Sequence, residues 1–285
     1  GQTRDIVMLV SQQSTQDTGP DGSAAQVWQA GRAHPGEIIC TGPKYQYQYS
    51  PGNLHLDAGG YRRLGGKYAE VFDQVVNRGV PWQPLGPTSA KRTGNVVQVV
   101  FEVPNPPLVW SLHLAAPHQA AHKEWAEGRG FEVSTTGGVP VTIDAVAIHG
   151  SAVQLTLKTP PAGPLVVAYA MTQDGAGNQG GDVQGLRGLL RDSDPFVGDD
   201  AETIEVELTQ GSAVVKSVVA GVFRGRTGFD VLSEQGTELP VVVRSRDTDE
   251  QLTLSEPWQG TSGKRTLSFH HDQYNYAVHF SMPVD

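Results

Sequence analysis

The sequence predicts an α/β segment followed by all-β structure: the C-terminal part of a parallel-sheet domain, then two antiparallel β modules. Three observations carry this. Short apolar runs alternate with helical periodicity up to Gly79. Beyond it the pattern becomes short alternating stretches separated by turn residues. Glycine and proline are abundant, 34 and 19 residues, with no G-X-Y period, which excludes collagen and favours a turn-rich β protein.

In the first segment, Ile6-Val7-Met8-Leu9-Val10 is a continuous apolar run, the pattern of a strand buried on both faces. Ser23 is placed to cap a helix through Ala24, Ala25, Val27, Trp28 and Ala30. Glu37–Thr41 is a second strand. Tyr61, Leu64, Tyr68, Val71, Phe72, Val75 and Val76 then recur at helical spacing, one face of an amphipathic helix. Asp57 is its candidate N-cap, and Gly79 suits the left-handed position past its end. Strand, helix, strand, loop and long helix in this order predict the last portion of a parallel sheet.

Val80–Pro87 contains three prolines, which break helices and central strands, so residues 80–94 read as a linker. Strands are predicted over Asn95–Val103, Val139–Ile148, Val153–Leu157 and Leu165–Ala170, an antiparallel sandwich spanning residues 95–195. Gln173–Gly185 reads as a glycine-rich loop. Residues 196–285 hold a further series: Thr203–Leu208, Ala213–Phe223, Gly228–Leu232, Leu239–Arg244, Gln251–Leu254 and Tyr276–Met282. The domain reading is therefore 1–79, linker 80–94, sandwich 95–195 and C-terminal β module 196–285; a length of 285 residues at roughly 150 per domain gives about two domains, or three small ones.

The formal charge is −9, from 21 basic and 30 acidic side chains. An acidic surface repels phosphate backbones and anionic lipid, which argues against nucleic acid and membrane as partners. No apolar run approaches the roughly 20 residues that span a bilayer. The opening GQTRDIVMLV is too short for a signal peptide and lacks Met, so the chain reads as processed or cut from something longer. One cysteine, Cys40, excludes an internal disulfide framework and a cysteine-based zinc site.

The chemistry centres on Asn53-Leu54-His55-Leu56-Asp57-Ala58-Gly59-Gly60-Tyr61. His55 stands in the loop before the last helix of an open α/β sheet, at the carboxyl end of the preceding strand, where such sheets place their sites. A histidine there can take a proton from a serine hydroxyl and return it to a leaving group. The alternative is that His55 packs the helix start.

This block, with Leu64-Gly65 behind it, resembles the last conserved block of the SGNH (GDSL-like) hydrolases, in which a catalytic His is followed by small residues, a Gly-Tyr and a helix. The flanking pattern over residues 4–79 agrees and looks most like the carbohydrate O-acetylesterase branch, including sialate O-acetylesterase-like proteins. The resemblance implies that His55 is catalytic and that no cofactor is needed. Two departures stand out. The family's Asp three residues before the His is Gly52 here. Asn53 or a backbone carbonyl is left to orient the ring, and Asp57 is better explained as a cap. No Gly-Asp-Ser or Gly-x-Ser-x-Gly block occurs, so the nucleophilic serine lies outside this chain, in a missing N-terminal part or a separate polypeptide, and the chain alone is expected to be inactive.

In the second module, Val167-Ala168-Tyr169-Ala170 resembles the strand end that, in the sialate-type proteins, leads into a loop returning to the hydrolase. Arg187 and Arg191 are candidates for binding an acidic sugar, since a guanidinium forks onto a carboxylate; a structural turn of Arg191 with Asp192 or Asp194 is the alternative. His118 and His122 lack a third metal ligand, and Asp174–Asn178 lacks a complete calcium pattern, so no metal site is expected. Leu252–Gly263 resembles a stretch recurring in bacteriophage tail proteins. Trp258, Tyr274 and Tyr276 either stack on sugar rings or pack in the core, and His270-His271 reads as a polar strand end.

Together these imply the C-terminal portion of a phage tail-associated carbohydrate O-acetylesterase acting on O-acetylated bacterial glycan, located on the virion tail or outside the cell. The alternative is a structural or receptor-binding tail component with a vestigial hydrolase portion. An open β module with unpaired edges at residues 196–285 further predicts a homotrimer.

Overall fold

The computed structural model of the chain describes residues 6–15, 22–47, 49–50, 54–111, 114, 117, 122–172, 187–194, 202–223, 230–235, 237–271 and 274–285. The amino-terminal segment folds as β1 (Met8–Val10), α1 (Ser23–Ala33), β2 (Ile38–Cys40) and α2 (Ala58–Phe72), with a π-helical turn over Asp73–Asn77. β1 and β2 pair in parallel, Met8 opposite Ile38 and Val10 opposite Cys40. The Asp57 carboxylate accepts from the Gly60 N–H at 2.6 Å, capping α2. Gly79 has φ +66°, the left-handed conformation that ends the helical run.

Three local expectations change. Ser23 is the first residue of α1, and the cap position belongs to Gly22, which offers no side-chain bond. β1 is not buried on both faces. Val7 and Leu9 pack against Ile39, Val71 and Trp82, while Ile6 and Met8, on the opposite face of the pleat, are 72% and 58% exposed. The buried stripe of α2 is Gly60, Arg63, Lys67 and Val71, with Tyr61 and Phe72 about half exposed. The apolar spacing misplaces that face because Lys67 turns inward to a set of buried polar partners.

The central unit is built from two antiparallel sheets. One has the order β3-β4-β8-β7, from β3 (Gly86–Thr93), β4 (Val96–Glu102), β8 (Ala152–Leu157) and β7 (Ile143–His149). The other has the order β17-β9-β6, from β17 (Phe280–Val284), β9 (Leu165–Tyr169) and β6 (Phe131–Thr135). Alternate residues point inward, as a pleat requires. Val97, Val99 and Phe101 of β4, Val153, Leu155 and Leu157 of β8, and Leu165, Val167 and Tyr169 of β9 form one core with Phe131 and Phe280. Phe101 and Phe131 meet edge to face across it, and Tyr169 stacks on Phe280. A short pair, β5 (Val109–Trp110) with β10 (Leu190–Arg191), lies beside it.

The remaining strands, β11 (Glu202–Leu208), β12 (Val214–Ser217), β13 (Asp230–Glu234), β14 (Thr237–Arg246), β15 (Gln251–Leu254) and β16 (Gly263–His271), close into a barrel in the order β11-β12-β15-β14-β13-β16. Its core gathers Ile204, Val206, Leu208, Leu252, Leu254, Leu267 and Phe269, while Glu205 and Glu207 face out. No helix among the described residues is long and apolar enough to cross a membrane.

Two boundaries therefore move. The linker of residues 80–94 ends at Leu85, because Gly86–Thr93 is β3; its Pro87 is tolerated since β3 is an edge strand with a register shift at Pro87–Ser89. The module of residues 196–285 is a barrel inserted into the sandwich. Residues 274–285 leave it, and β17 pairs with β9, Phe280 opposite Tyr169 and Val284 opposite Leu165. Phe280, Met282 and Val284 pack on the sandwich core, an alternation that by itself is indistinguishable from that of a barrel strand. The barrel closes, so among the described residues the module lacks the open strand edges that were one of the grounds for the homotrimer expectation.

A chain ending at Pro195 lacks β17 and is expected to lose the cooperative thermal transition of the sandwich. A chain in which a short Gly-Ser linker replaces residues 195–273 is expected to keep it, because the insertion's two ends are joined by the Asp192 N–H to Asn275 carbonyl bond at 3.0 Å. Circular-dichroism melts distinguish the two, and a cooperative melt of the chain ending at Pro195 would contradict this topology. Phe280→Ala should cost about 3–5 kcal/mol of stability by denaturant titration.

Candidate functional site

His55 lies on the loop that follows β2. Tyr49 and Leu56 form an antiparallel bridge across this loop, and the His55 carbonyl accepts from the Ser50 N–H at 2.8 Å and the Ser50 hydroxyl at 3.0 Å. Leu56 is buried with Tyr47 and Tyr49 against Leu64 of α2. His55 thus stands immediately before the anchored Leu56 and the capped start of α2, with its own side chain exposed. It borders a recess of about 230 Å³ shared with Gln13, Lys44, Tyr49, Leu54, Leu56 and Tyr61.

The recess has a polar, cationic wall. The Lys44 ammonium donates to the Gln13 side-chain carbonyl at 3.1 Å, and partial burial holds its pKa below the ordinary lysine range. Burial raises the Tyr49 phenol. Asn53 lies outside the described residues, as do His118 and Asp174–Asn178.

A second histidine, which the sequence reading did not single out, makes the most complete hydrogen-bonded arrangement. His279 Nδ1 stands 2.6 Å from the Ala170 carbonyl, so that nitrogen carries the proton. His279 Nε2 is then the acceptor for the Ser14 hydroxyl at 2.8 Å. The Ser14 oxygen accepts in turn from the Lys44 N–H at 3.1 Å. Burial pushes the His279 pKa down to about 4, so the ring is neutral. Serine, histidine and carbonyl have the order of a proton-accepting dyad. Yet Ser14 and His279 are each 0% exposed, and the Tyr45 ring covers the imidazole edge at 5.2 Å. No substrate reaches them in this arrangement, and the pair pins the amino-terminal segment to the sandwich. The two residues are 265 positions apart, and nothing local signals their meeting.

The arginines fall elsewhere. Arg187 is 4% exposed. Arg191 donates to the Asp192 carbonyl at 3.0 Å, and its guanidinium covers the Tyr274 ring at 3.7 Å, the structural-turn alternative. Neither borders the His55 recess; the cation there is Lys44. Trp258 packs inside the barrel with its indole N–H on the Thr261 carbonyl, and Tyr276 bonds Ser111 at 3.0 Å. Trp258, Tyr274 and Tyr276 are all buried, which is the core-packing alternative. His122 packs its ring 4.6 Å from Trp125. Among the described residues no group of three candidate ligands is placed to hold a metal.

The His279 shift has a sign that can be tested. The folded value, about 4, lies below the ordinary 6.5, so the unfolded chain binds the proton first on acidification. The contribution is fully present above pH 6.5 and is lost as pH falls through about 4, with a slope of about 1.4 kcal/mol per pH unit inside that window. Glu70 and Asp192, both raised chiefly by burial, act in the opposite direction. Comparing denaturant stability of the parent and His279→Gln from pH 7 to pH 4 isolates the histidine. The parent is expected to lose more stability than the variant; parallel curves would contradict the assignment.

No family model and no curated protein matches the chain. Among solved structures, the pullulanase SAP of Group B Streptococcus is similar over 60% of this chain and 19% of its own, at 10% identity and a TM-score of 0.20. The N-terminal part of the bacterial S-layer protein SbsC is similar over 70% of this chain and 50% of its own, at 9% identity and a TM-score of 0.23. The matches thus span half or less of those chains, and likeness of this degree carries no argument about fold or function.

Proposed function

We propose that this chain is the C-terminal portion of a serine-type carbohydrate O-acetylesterase, phage tail-associated or extracellular, that deacetylates bacterial surface polysaccharide. The observation that carries the reading is the exposed His55 at a recess beyond the carboxyl end of the parallel pair, on a loop fixed by Leu56 and the Asp57 cap. The nucleophilic serine comes from sequence outside this chain. Its oxygen attacks the acetyl carbonyl while the imidazole takes the hydroxyl proton. His55 then gives that proton to the sugar oxygen as the ester bond breaks. Water repeats the sequence on the acetyl-enzyme, releasing acetate and restoring the serine. The Lys44 ammonium and the Tyr61 hydroxyl are polar groups that the recess offers to the acetylated sugar.

Gly52 in place of the family's Asp favours one competing reading, a non-catalytic tail component that binds glycan. Acetate release from O-acetylated bacterial polysaccharide, measured with an assembly that includes the upstream sequence, separates the two. His55→Ala is expected to lower the rate by about 10²–10⁴-fold. The chain by itself is expected to release none. Equal rates for the parent assembly and His55→Ala would remove His55 from the mechanism, and glycan binding without turnover would favour the competing reading.

A further inference from the structure

The recess beside His55 differs in charge from the chain as a whole. The chain carries 30 acidic side chains against 21 basic ones. Yet among the described residues the recess is lined by the Lys44 ammonium and by no carboxylate. Asp57, two residues beyond His55, is engaged with the Gly60 N–H at 2.6 Å.

Lys44 is positioned by neutral partners. Its backbone N–H donates to the Ser14 oxygen at 3.1 Å, and its ammonium donates to the Gln13 side-chain carbonyl at 3.1 Å. The Gln13 amide in turn donates to the Thr15 hydroxyl at 2.6 Å, which fixes the carbonyl that holds the ammonium. Burial lowers the Lys44 pKa, and among the described residues no acid opposes it. A half-buried ammonium without a counter-charge carries a desolvation cost that an arriving anion offsets. A recess walled by one sign of charge also focuses its field on a ligand of the other sign.

Size and walls narrow the ligand. A volume of about 230 Å³ is below that of pockets which enclose a whole small molecule, so the recess takes one unit or substituent of something larger. Leu54 and Tyr61 beside it are 41% and 52% exposed, an apolar and aromatic surface on which the C–H face of a sugar ring can lie. The lysine head is a compact point charge able to pair with a carboxylate on that ring.

We infer that Lys44 is a specificity-determining residue that pairs with the carboxylate of an acidic sugar unit, so that the glycan taken at His55 is a uronate-type polymer. The inference rests on the proposed esterase reading in taking a glycan as the occupant. It gives to Lys44 the contact that the sequence suggested for Arg187 and Arg191, neither of which borders the recess.

The test is a calorimetric titration of the whole chain with hexagalacturonate, hexamannuronate and hyaluronan hexasaccharide. Maltohexaose is the neutral comparator, and hexaglutamate is a carboxylate polymer without sugar. At about 50 mM NaCl at least one acidic hexasaccharide is expected to bind about tenfold or more tighter than either comparator. Lys44→Gln should remove that preference and Lys44→Arg should keep most of it, with melting temperatures read by circular dichroism. Raising NaCl to about 0.5 M should weaken acidic binding to the parent and leave maltohexaose unchanged, a response that needs no variant. No preference for any acidic hexasaccharide over maltohexaose, equal binding of hexaglutamate, or an undiminished preference in folded Lys44→Gln each overturns the inference. Binding is measured without turnover, so the two readings fail separately. His55-dependent acetate release by the complete assembly, with no acidic preference in the titration, overturns this inference and leaves the esterase reading standing. An acidic preference that depends on Lys44, in an assembly that releases no acetate, supports this inference and overturns the esterase reading.

Discussion

Two hydrogen bonds join the Gln12 side-chain amide to the backbone of His279, to its carbonyl at 2.8 Å and from its N–H at 2.9 Å, inside the molecule. The same amide also donates to the Ala24 carbonyl at the start of α1. Residues from opposite ends of the chain thereby become one packing unit. Around this point the Ser14 hydroxyl meets the His279 ring, the Tyr45 hydroxyl donates to the Ala277 carbonyl at 2.6 Å, and the Val278 N–H donates to the Leu85 carbonyl at 3.0 Å. Tyr274 to Phe280 is buried throughout. A two-stranded parallel pair with two helices has too little apolar surface to fold by itself. It is stable here because the returning segment gives its polar groups partners and its aromatic residues a core.

The same segment organises the charge at the seam. Lys67, 2% exposed, contacts Glu70 at 2.6 Å, donates to the Asn275 side-chain carbonyl at 3.0 Å, and stands 3.8 Å from Asp194. Asn275 in turn donates to Asp192 at 3.2 Å, and Asp192 also accepts from the Asn105 N–H at 3.1 Å. A buried ammonium is tolerated only with such partners, since an unpaired charge in the interior is costly. The network therefore sets which face of α2 points inward, and with it the direction in which the capped start of α2 presents the His55 loop.

The two histidines show how burial separates chemistries that composition treats alike. His279 has a serine, a carbonyl and a depressed pKa, yet it is enclosed and acts as a joint. Among the described residues the His55 loop is held by backbone and Ser50 bonds to its carbonyl, and the exposed side chain faces a recess that Lys44, Tyr49 and Tyr61 help to line. Access to a substrate, rather than the completeness of a hydrogen-bond set, makes His55 the candidate for catalysis.

Local patterns in the sequence determined much of the architecture. Alternation located β4, β8, β9, β11 and β15, the Asp57 cap and Gly79 bounded the helical run, and the loop before α2 marked His55, because each signal lies within a few residues and depends only on pleat, helix period or turn conformation. Tertiary structure decided the rest. β3 was hidden by Pro87, whose missing N–H matters little on an edge. The C-terminal strand reads like any other alternating strand, and only the fit of Phe280 between Tyr169, Phe131 and Phe101 assigns it to the sandwich instead of the barrel. Barrel closure depends on pairings such as β11 with β16, about which neither strand carries information alone. The Ser14–His279 contact, the inward turn of Lys67 and the burial of Arg187 arise between residues far apart in the chain, where what decides is which surfaces the packed core leaves open to water.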